Sequence, residues 1–389
     1  MAQELAYVII TPYSLHKSRT GGILARLITR TGLELVGARM FAPSTDLVQK
    51  YSEVIVSADD PQDRNIQELI RSYILKNLSP DSKTGRRRRA MMLLFQGEDA
   101  VRKVRSVVGN VRADRSGGET IRDTYGDLIL DENGSVRYFE PAVLAPPNVQ
   151  EAQLKAKLWA DFSDADGGVL EDTIAYPPGE TPQRTLVLIK PDNFRFPTGR
   201  PGNVIDFFSR TGLYIIAIKL HRMSTAEAME FYGPVKEILR TKLNDMVGAR
   251  AASAVEKEFS FKVPVPVQQK LGELLGPTYG DNQFENIVRF MSGRSPSECP
   301  QEKRDEPGSE KCIALVYEGP NAVQKIRDVL GPTDPSKAPP GSIRREFGQT
   351  VMVNAAHASD SEDNARREVG IIKVGDNHFK RVVESFYGR

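Results

Sequence analysis

The chain has 389 residues, 40% hydrophobic and 27% charged, with a net charge of +2 at pH 7. That length suits two domains, the composition is that of an ordinary soluble globular protein, and the near-neutral balance argues against a polyanionic partner. No apolar run approaches a membrane span, Met1–Glu4 carries no signal-peptide pattern, and the two cysteines, Cys299 and Cys312, require no disulfide, so a cytoplasmic protein away from membranes is expected.

The chain opens on a β-rich run, Ala6–Thr11. An amphipathic helix around Gly22–Thr29 follows and stops at Arg-Thr-Gly. Next come an apolar strand, Leu33–Met40, and a short helix opened by Ser44, a fair N-cap. A strand at Ala90–Phe95 and a helix at Ala100–Val108 complete the series. The same series then recurs: Thr185–Lys190, Asn203–Arg210, Leu213–Leu220, a short helix after Ser224, Ile313–Tyr317 and Ala322–Leu330. The likeness is literal in places. R-T-G-L-E-L-V-G-A-R-M at 30–40 answers R-T-G-L-Y-I-I-A-I-K-L at 210–220, and I-R-D-T-Y-G at 121–126 answers I-R-R-E-F-G at 343–348. A repeat of domain length is a duplicated domain, not a solenoid.

Each copy reads as βαββαβ, which predicts an α+β fold: two tandem ferredoxin-like domains with helices on one face of an antiparallel sheet. The expected boundaries are residues 1–161, a linker at 162–183, and 184–389 with an insertion around 234–283. The linker is rich in Asp, Gly and Pro, with some order at Val169–Tyr176. Val149–Phe162 reads as an amphipathic helix whose Trp159 serves packing. The insertion reads as helical to Ala254, followed by a Pro/Val-rich piece at Val263–Val267. Lys83–Arg89, K-T-G-R-R-R-R, reads as a solvated loop or a contact for nucleic acid or an acidic partner. Arg294–Lys311, with mixed charge and prolines, reads as a mobile loop.

Only four histidines occur: His16, His221, His357 and His378. His357 lies between small residues in N-A-A-H-A-S-D-S, with Arg344 and Arg345 about one strand length upstream. A ring that can change protonation near neutral pH, close to guanidinium groups that fit phosphate oxygens, points to phosphoryl transfer. A structural loop histidine is the competing reading.

The second copy resembles the nucleoside diphosphate kinase family over most of residues 184–370. The matching pieces are I-K-P-D at 189–192, F-E-N-I-V-R-F-M at 284–291, Y-E-G-P-N-A-V-Q-K-I-R-D-V-L-G-P-T-D-P at 317–335, P-G-S-I-R-R-E-F at 340–347 and N-A-A-H-A-S-D-S at 354–361. The resemblance implies that His357 is the nucleophile, carrying the γ-phosphoryl between nucleoside triphosphate and diphosphate in a ping-pong cycle. It implies that Glu368 orients the ring, that Lys190, Arg327 and Arg344 gather phosphates, and that Tyr232 and Thr333 add hydroxyls. Asn354 would bind the sugar, and Ile287 and Val351 would wall the base. The family's base-stacking aromatic falls at Gln283, with Phe284 beside it. Mg²⁺ would ride on the nucleotide phosphates with no protein metal site. The resemblance also implies a homo-oligomer.

The first copy keeps Tyr51, Arg105 and Arg122 as counterparts of Tyr232, Arg327 and Arg344. Thr11 stands where Lys190 does, Asn133-Gly134 signals a hairpin, and Glu140 or a neighbour takes the histidine's place. Two other functions stay open. One is a non-catalytic nucleotide-sensing or scaffold protein. The other is RNA binding, since ferredoxin-like sheets carry RNA-recognition modules; no aromatic motif of that kind is evident, which makes nucleic acid an unlikely partner.

Overall fold

The computed structural model describes residues 3–112 and 117–388. It divides into two compact units: one runs up to Leu220 and resumes at Ile313, the other is His221–Cys312. No helix among the described residues is long and apolar enough to cross a membrane.

The first unit holds both copies. It opens with β1 (Gln3–Ile10), a short α1 (Pro12–His16), α2 (Thr20–Thr31) and β2 (Glu34–Phe41). Then come α3 (Thr45–Glu53), α4 (Arg64–Asn77), β3 (Ala90–Glu98) and α5 (Ala100–Val108). The first copy closes with α6 (Ile121–Tyr125), β4 (Asp127–Leu130), β5 (Val136–Glu140), β6 (Val143–Leu144) and α7 (Val149–Asp166). The second copy begins with β7 (Gln183–Ile189), α8 (Arg200–Phe208) and β8 (Tyr214–His221).

The second unit is helical: α9 (Thr225–Lys242), α10 (Asn244–Phe259) and α11 (Val265–Ser292). The chain returns through β9 (Cys312–Gly319), α12 (Ala322–Leu330), α13 (Ile343–Phe347), β10 (Ala356–Ala358), α14 (Glu362–Ile372) and α15 (His378–Tyr387).

The duplication is visible in the sheets. The first has the order β2-β3-β1-β6 and the second β8-β9-β7-β10, with β1 antiparallel to β3 and β6, β2 to β3, and β7 to β9 and β10. Two ferredoxin-like halves are therefore present, as the repeat predicts. β1 and β7 are buried along nearly their whole length because each is an inner strand of its sheet, with α5 and α7 packed on β1 and α12 and α14 on β7. α5 buries Ala100, Val101, Val104, Val107 and Val108, a stripe of helical period. The Arg-Thr-Gly stops work as expected: Gly32 and Gly212 sit at φ +63° and +67°.

Several local expectations are corrected. α7 continues to Asp166, into the expected linker, because Ser163 and Asp166 extend the buried face of Ala156, Trp159 and Ala160. The segment after it is pinned: Gly168 N donates to Met40 O (3.0 Å) and Leu170 N to Ile216 O (3.0 Å). The helix after Ser224 is 18 residues long and runs through Pro234. In the insertion the helix reaches Phe259, and Val265 already opens the 28-residue α11. Gly248, Gly272 and Gly276 let α10 and α11 nearly touch; a Cβ on Gly248 would stand 2.4 Å from Gln268 O. Residues 294–311 are tied down rather than loose. Arg289 pairs with Glu298 (2.6 Å), Arg304 donates to Pro296 O (2.9 Å), and Gly308 N donates to Met223 O (3.1 Å). Cys299 and Cys312 are both buried free thiols.

The two halves join through α2 and α8. Gly21 and Gly202 face each other so closely that a Cβ on Gly202 would meet Gly21 O at 2.2 Å. Gly22 N donates to Asp206 Oδ1 (3.1 Å), whose carboxyl burial holds above its ordinary pKa. Part of the basic loop also belongs to this joint. Arg89 donates to Ile215 O (2.7 Å) and lies 4.9 Å over the Tyr214 ring, while Arg87 pairs with the buried Asp166 (2.9 Å). Gly202→Val is expected to destabilise the chain by about 3 kcal/mol or more, because backbone on both sides leaves no room to relax. Denaturant unfolding of the variant checks this.

Trp159 belongs to the core of the first half, edge-on to Phe41 (4.9 Å) and Tyr51 (5.4 Å). The last helix of the chain closes that core: Phe379 lies 5.4 Å from Phe41, and Tyr387 donates to Leu5 O (2.7 Å).

Candidate functional site

His357 is set by strand pairing. β10 lies against β7 with Ala356 opposite Ile189 and His357 opposite Leu188. Just before it, Ala355 takes φ +70°, a backbone turn that aims Asn354 and His357 into one region. Asn193 holds that turn by donating to Ala355 O (2.7 Å) and Lys190 O (2.9 Å).

Glu368, on α14, is 4% exposed and places Oε2 3.0 Å from His357 Nε2. A carboxylate only accepts, so Nε2 carries the proton and, in the neutral ring, Nδ1 holds the lone pair. Ser359 Oγ donates to the same Oε2 (2.5 Å) and fixes the carboxylate. Sequence reasoning passed over Ser359 and Asn193. Ser359 was legible: two residues beyond His357 on an extended segment, it shares the ring's face.

Lys190 follows β7 and is 7% exposed. Its Nζ donates to Asn354 Oδ1 (2.9 Å) and to Met352 O. Burial, with Arg344 nearby, lowers its ammonium to a pKa of about 8. Asn354 Nδ2 in turn donates to Val351 O (2.8 Å) and Thr333 O (3.1 Å). Arg344 donates to Gly331 O (3.0 Å) and Ala356 O (3.3 Å), with Thr333 Oγ1 at 3.5 Å. Arg327 donates to Asp360 O (3.3 Å).

The structure thus gathers Lys190, Arg327, Thr333, Arg344, Asn354, His357 and Glu368 on one half of one unit. Val351 stands on the same loop, 59% exposed. Tyr232 and Ile287 lie on α9 and α11 of the helical unit, where the Tyr232 ring packs 4.9 Å from Phe231. Phe284 is 5% exposed inside that unit with Lys236 over its ring, whereas Gln283 is half-buried.

The first half shows the same frame with other residues in it. Thr11 N donates to Ala142 O as Lys190 N does to Ala355 O, and Ala142 repeats the positive φ at +63°. By that register Leu144, opposite Ile9, stands in the histidine's place. Glu140 lies four residues earlier and accepts from Thr11 Oγ1 (2.9 Å), Tyr73 OH (2.7 Å) and Ala142 N (2.9 Å). α7 and α14 open on the caps Asn148 and Ser361; counted from them, Lys155 falls where Glu368 does, and it pairs with Glu151 (2.7 Å). The arginines persist: Arg122 donates to Gly109 O (2.7 Å) and Val143 O (3.3 Å), the counterparts of Gly331 O and Ala356 O. Counting from Ser44 and Ser224 pairs Tyr51 with Phe231 and puts Ser52 at Tyr232's position, which corrects the expected match.

Installing Thr11→Lys and Leu144→His together is therefore expected to yield no phosphorylation of the first half. Lys155 would face the new ring where a carboxylate is needed. Labelling the double variant in a His357→Ala background reads this directly.

Two ferredoxin-like halves, with a histidine–carboxylate pair beside a buried lysine and a half-buried arginine in the second, define an α+β protein with a candidate site in that half. Comparison with known proteins agrees. The model of the family "Nucleoside diphosphate kinase" matches residues 183–295 and 303–374. A nucleoside diphosphate kinase of Campylobacter hominis is 31% identical over 193 residues, 50% of this chain and 96% of its own length. One from Staphylothermus marinus is 30% identical over 50% of this chain and 94% of its own. The solved nucleoside diphosphate kinase of Aquifex aeolicus is 28% identical, covering 49% of this chain and 95% of its own, at a TM-score of 0.30. By its sequence the chain belongs to the nucleoside diphosphate kinase family.

Proposed function

We propose that this chain is a nucleoside diphosphate kinase with one working site, in the second half. Nδ1 of His357 attacks the γ-phosphorus of a nucleoside triphosphate. The bond from phosphorus to the β-phosphate oxygen breaks, the diphosphate leaves, and the phosphoryl group stays on the ring. A second diphosphate then takes that group by the reverse step. Lys190, Arg327 and Arg344 offset charge on the phosphate oxygens, while Thr333 and Asn354 add hydrogen bonds to phosphate and sugar. Glu368 faces the ring as it becomes positive and stabilises it. The observation that carries this reading is the His357–Glu368 pair, 3.0 Å apart, beside an arginine whose contacts the other half repeats without the pair.

Mg²⁺ fits as a passenger of the nucleotide. Lys190 and Arg344 beside His357 are cations, which meet phosphate oxygens and not a metal ion. On the phosphates the ion would supply further charge neutralisation. The reading extends to a cytoplasmic role in nucleotide metabolism and to self-association of the chain, which sedimentation would measure.

The test is direct. Wild-type protein incubated with γ-³²P-ATP is expected to carry an acid-labile, base-stable label that unlabelled diphosphates discharge. Absence of label on folded wild-type protein would sink the kinase reading and favour the scaffold alternative.

A further inference from the structure

The half without the chemistry is physically connected to Glu368. α14 carries Glu368 one turn before its end. That end is held by Lys219 of β8, only 5% exposed, whose Nζ donates to Ile372 O (2.8 Å) and Lys373 O (2.9 Å). A buried ammonium on the last carbonyls of a helix satisfies orphan acceptors and opposes the dipole.

The chain then passes to the first half. Arg39 of β2, also 5% exposed, donates Nη1 to Gly375 O (3.3 Å) and Asp376 O (3.2 Å). Its other nitrogens hold the end of α7, at Ser163 O (3.1 Å) and Gly167 O (3.2 Å). Asn377 and Lys380 reach Asp164 (2.6 and 2.8 Å), and α15 buries Phe379 and Val383 against Phe41 and Trp159.

Arg39 and Lys219 are equivalent residues of the two copies, each seven positions after its helix-stop glycine, Gly32 or Gly212. Each caps the final helix of its own half. Arg39 also grips Gly375 and Asp376, between α14 and α15. A continuous path therefore runs from the first-half core through α15 and residues 374–376 to the end of α14 and Glu368.

We propose that Lys219 and the first-half seat of α15 are positioning elements that set Glu368 against His357, so that the copy lacking the histidine is a component of the other copy's active site. This rests on His357 as the phosphoryl carrier. A hydrogen-bonded pair in a low-dielectric site loses catalytic value steeply with small displacements, and α14 transmits a shift at its end to a residue one turn away.

The experiment uses the full chain with Lys219→Met, Phe379→Ala and the milder Phe379→Leu, each alone and combined with Glu368→Gln. Rates of phosphohistidine formation are measured in single turnover, and ¹⁵N spectra of His357 report which ring nitrogen carries the proton. The single variants are expected to slow labelling about 10-fold with ATP affinity unchanged. They should also weaken the Nε2–H signature, and they should add little loss in the Glu368→Gln background. Wild-type spectra and rates in folded Lys219→Met and Phe379→Leu overturn the proposal. So does an undiminished loss when Glu368 is already glutamine. If wild-type protein takes no label, the kinase reading fails, and the spectra alone still decide whether these residues position the pair.

Discussion

His357→Ala is expected to abolish covalent labelling and lower turnover by about four orders of magnitude or more, the largest effect of any single change in this chain. Under the proposed mechanism the His357 ring accepts the phosphoryl, and removing it leaves binding without an intermediate. Glu368→Gln is a milder and more informative companion. An amide cannot stabilise the charged ring, and it can turn its NH₂ toward Nε2, which moves the ring proton to Nδ1 and occupies the attacking nitrogen. A fall in kcat of about 100-fold with little change in KM is expected. Steady-state rates and labelling of both variants check the pair. Equal labelling of wild type and His357→Ala would move the nucleophile elsewhere.

The second large expectation concerns Lys190 and pH. Its ammonium is buried and lowered to about 8, so the free enzyme loses that charge as pH rises through this value. kcat/KM, which reports the free enzyme, should fall above about pH 8; the limb in kcat should lie higher, because bound phosphates favour the ammonium. Stability should move the opposite way. A lysine whose folded pKa lies below its unfolded value penalises folding below the folded pKa, and the penalty is relieved as pH rises toward the unfolded one. The shift from 10.5 to about 8 corresponds to roughly 3 kcal/mol, relieved mostly between pH 8 and 10. Above pH 10 the buried tyrosines Tyr7, Tyr51 and Tyr73, whose pKa values burial raises, oppose it. Activity that falls while stability rises separates this limb from alkaline unfolding. Lys190→Arg keeps its charge throughout, so its profile should flatten at a lower plateau. A falling limb of unchanged midpoint in that variant would assign it to another group.

Much of the candidate site was legible in the chain because it rests on local and repeated signals. The small residues around His357 and the arginines shared by both copies follow from order and spacing, while Glu368 was legible only through the family resemblance. Ser359 needed one more inference, the alternation of an extended segment. The fate of the first copy was harder to read. Its histidine position is Leu144 and its glutamate position Lys155, assignments that rest on the strand register of β6 and the cap of α7, neither of which composition reveals.

The sequence by itself determined the duplication and the α+β class of each half, because binary patterning, helix stops and motif spacing act within a few residues of chain; the family resemblance added the histidine–glutamate pair. Only the tertiary structure decided where the ends go. The glycines of α2 and α8 read as ordinary helix residues until the two helices are seen to touch at them. The basic run at 83–89 reads as solvated until Arg87 and Arg89 are found bonded to Asp166 and Ile215. The last helix, beyond the residues that the family model matches, docks on the opposite half through Phe379, and Arg39 holds the segment before it. Contacts between residues hundreds of positions apart are set by packing of complementary surfaces, and no local pattern encodes which buried face meets which.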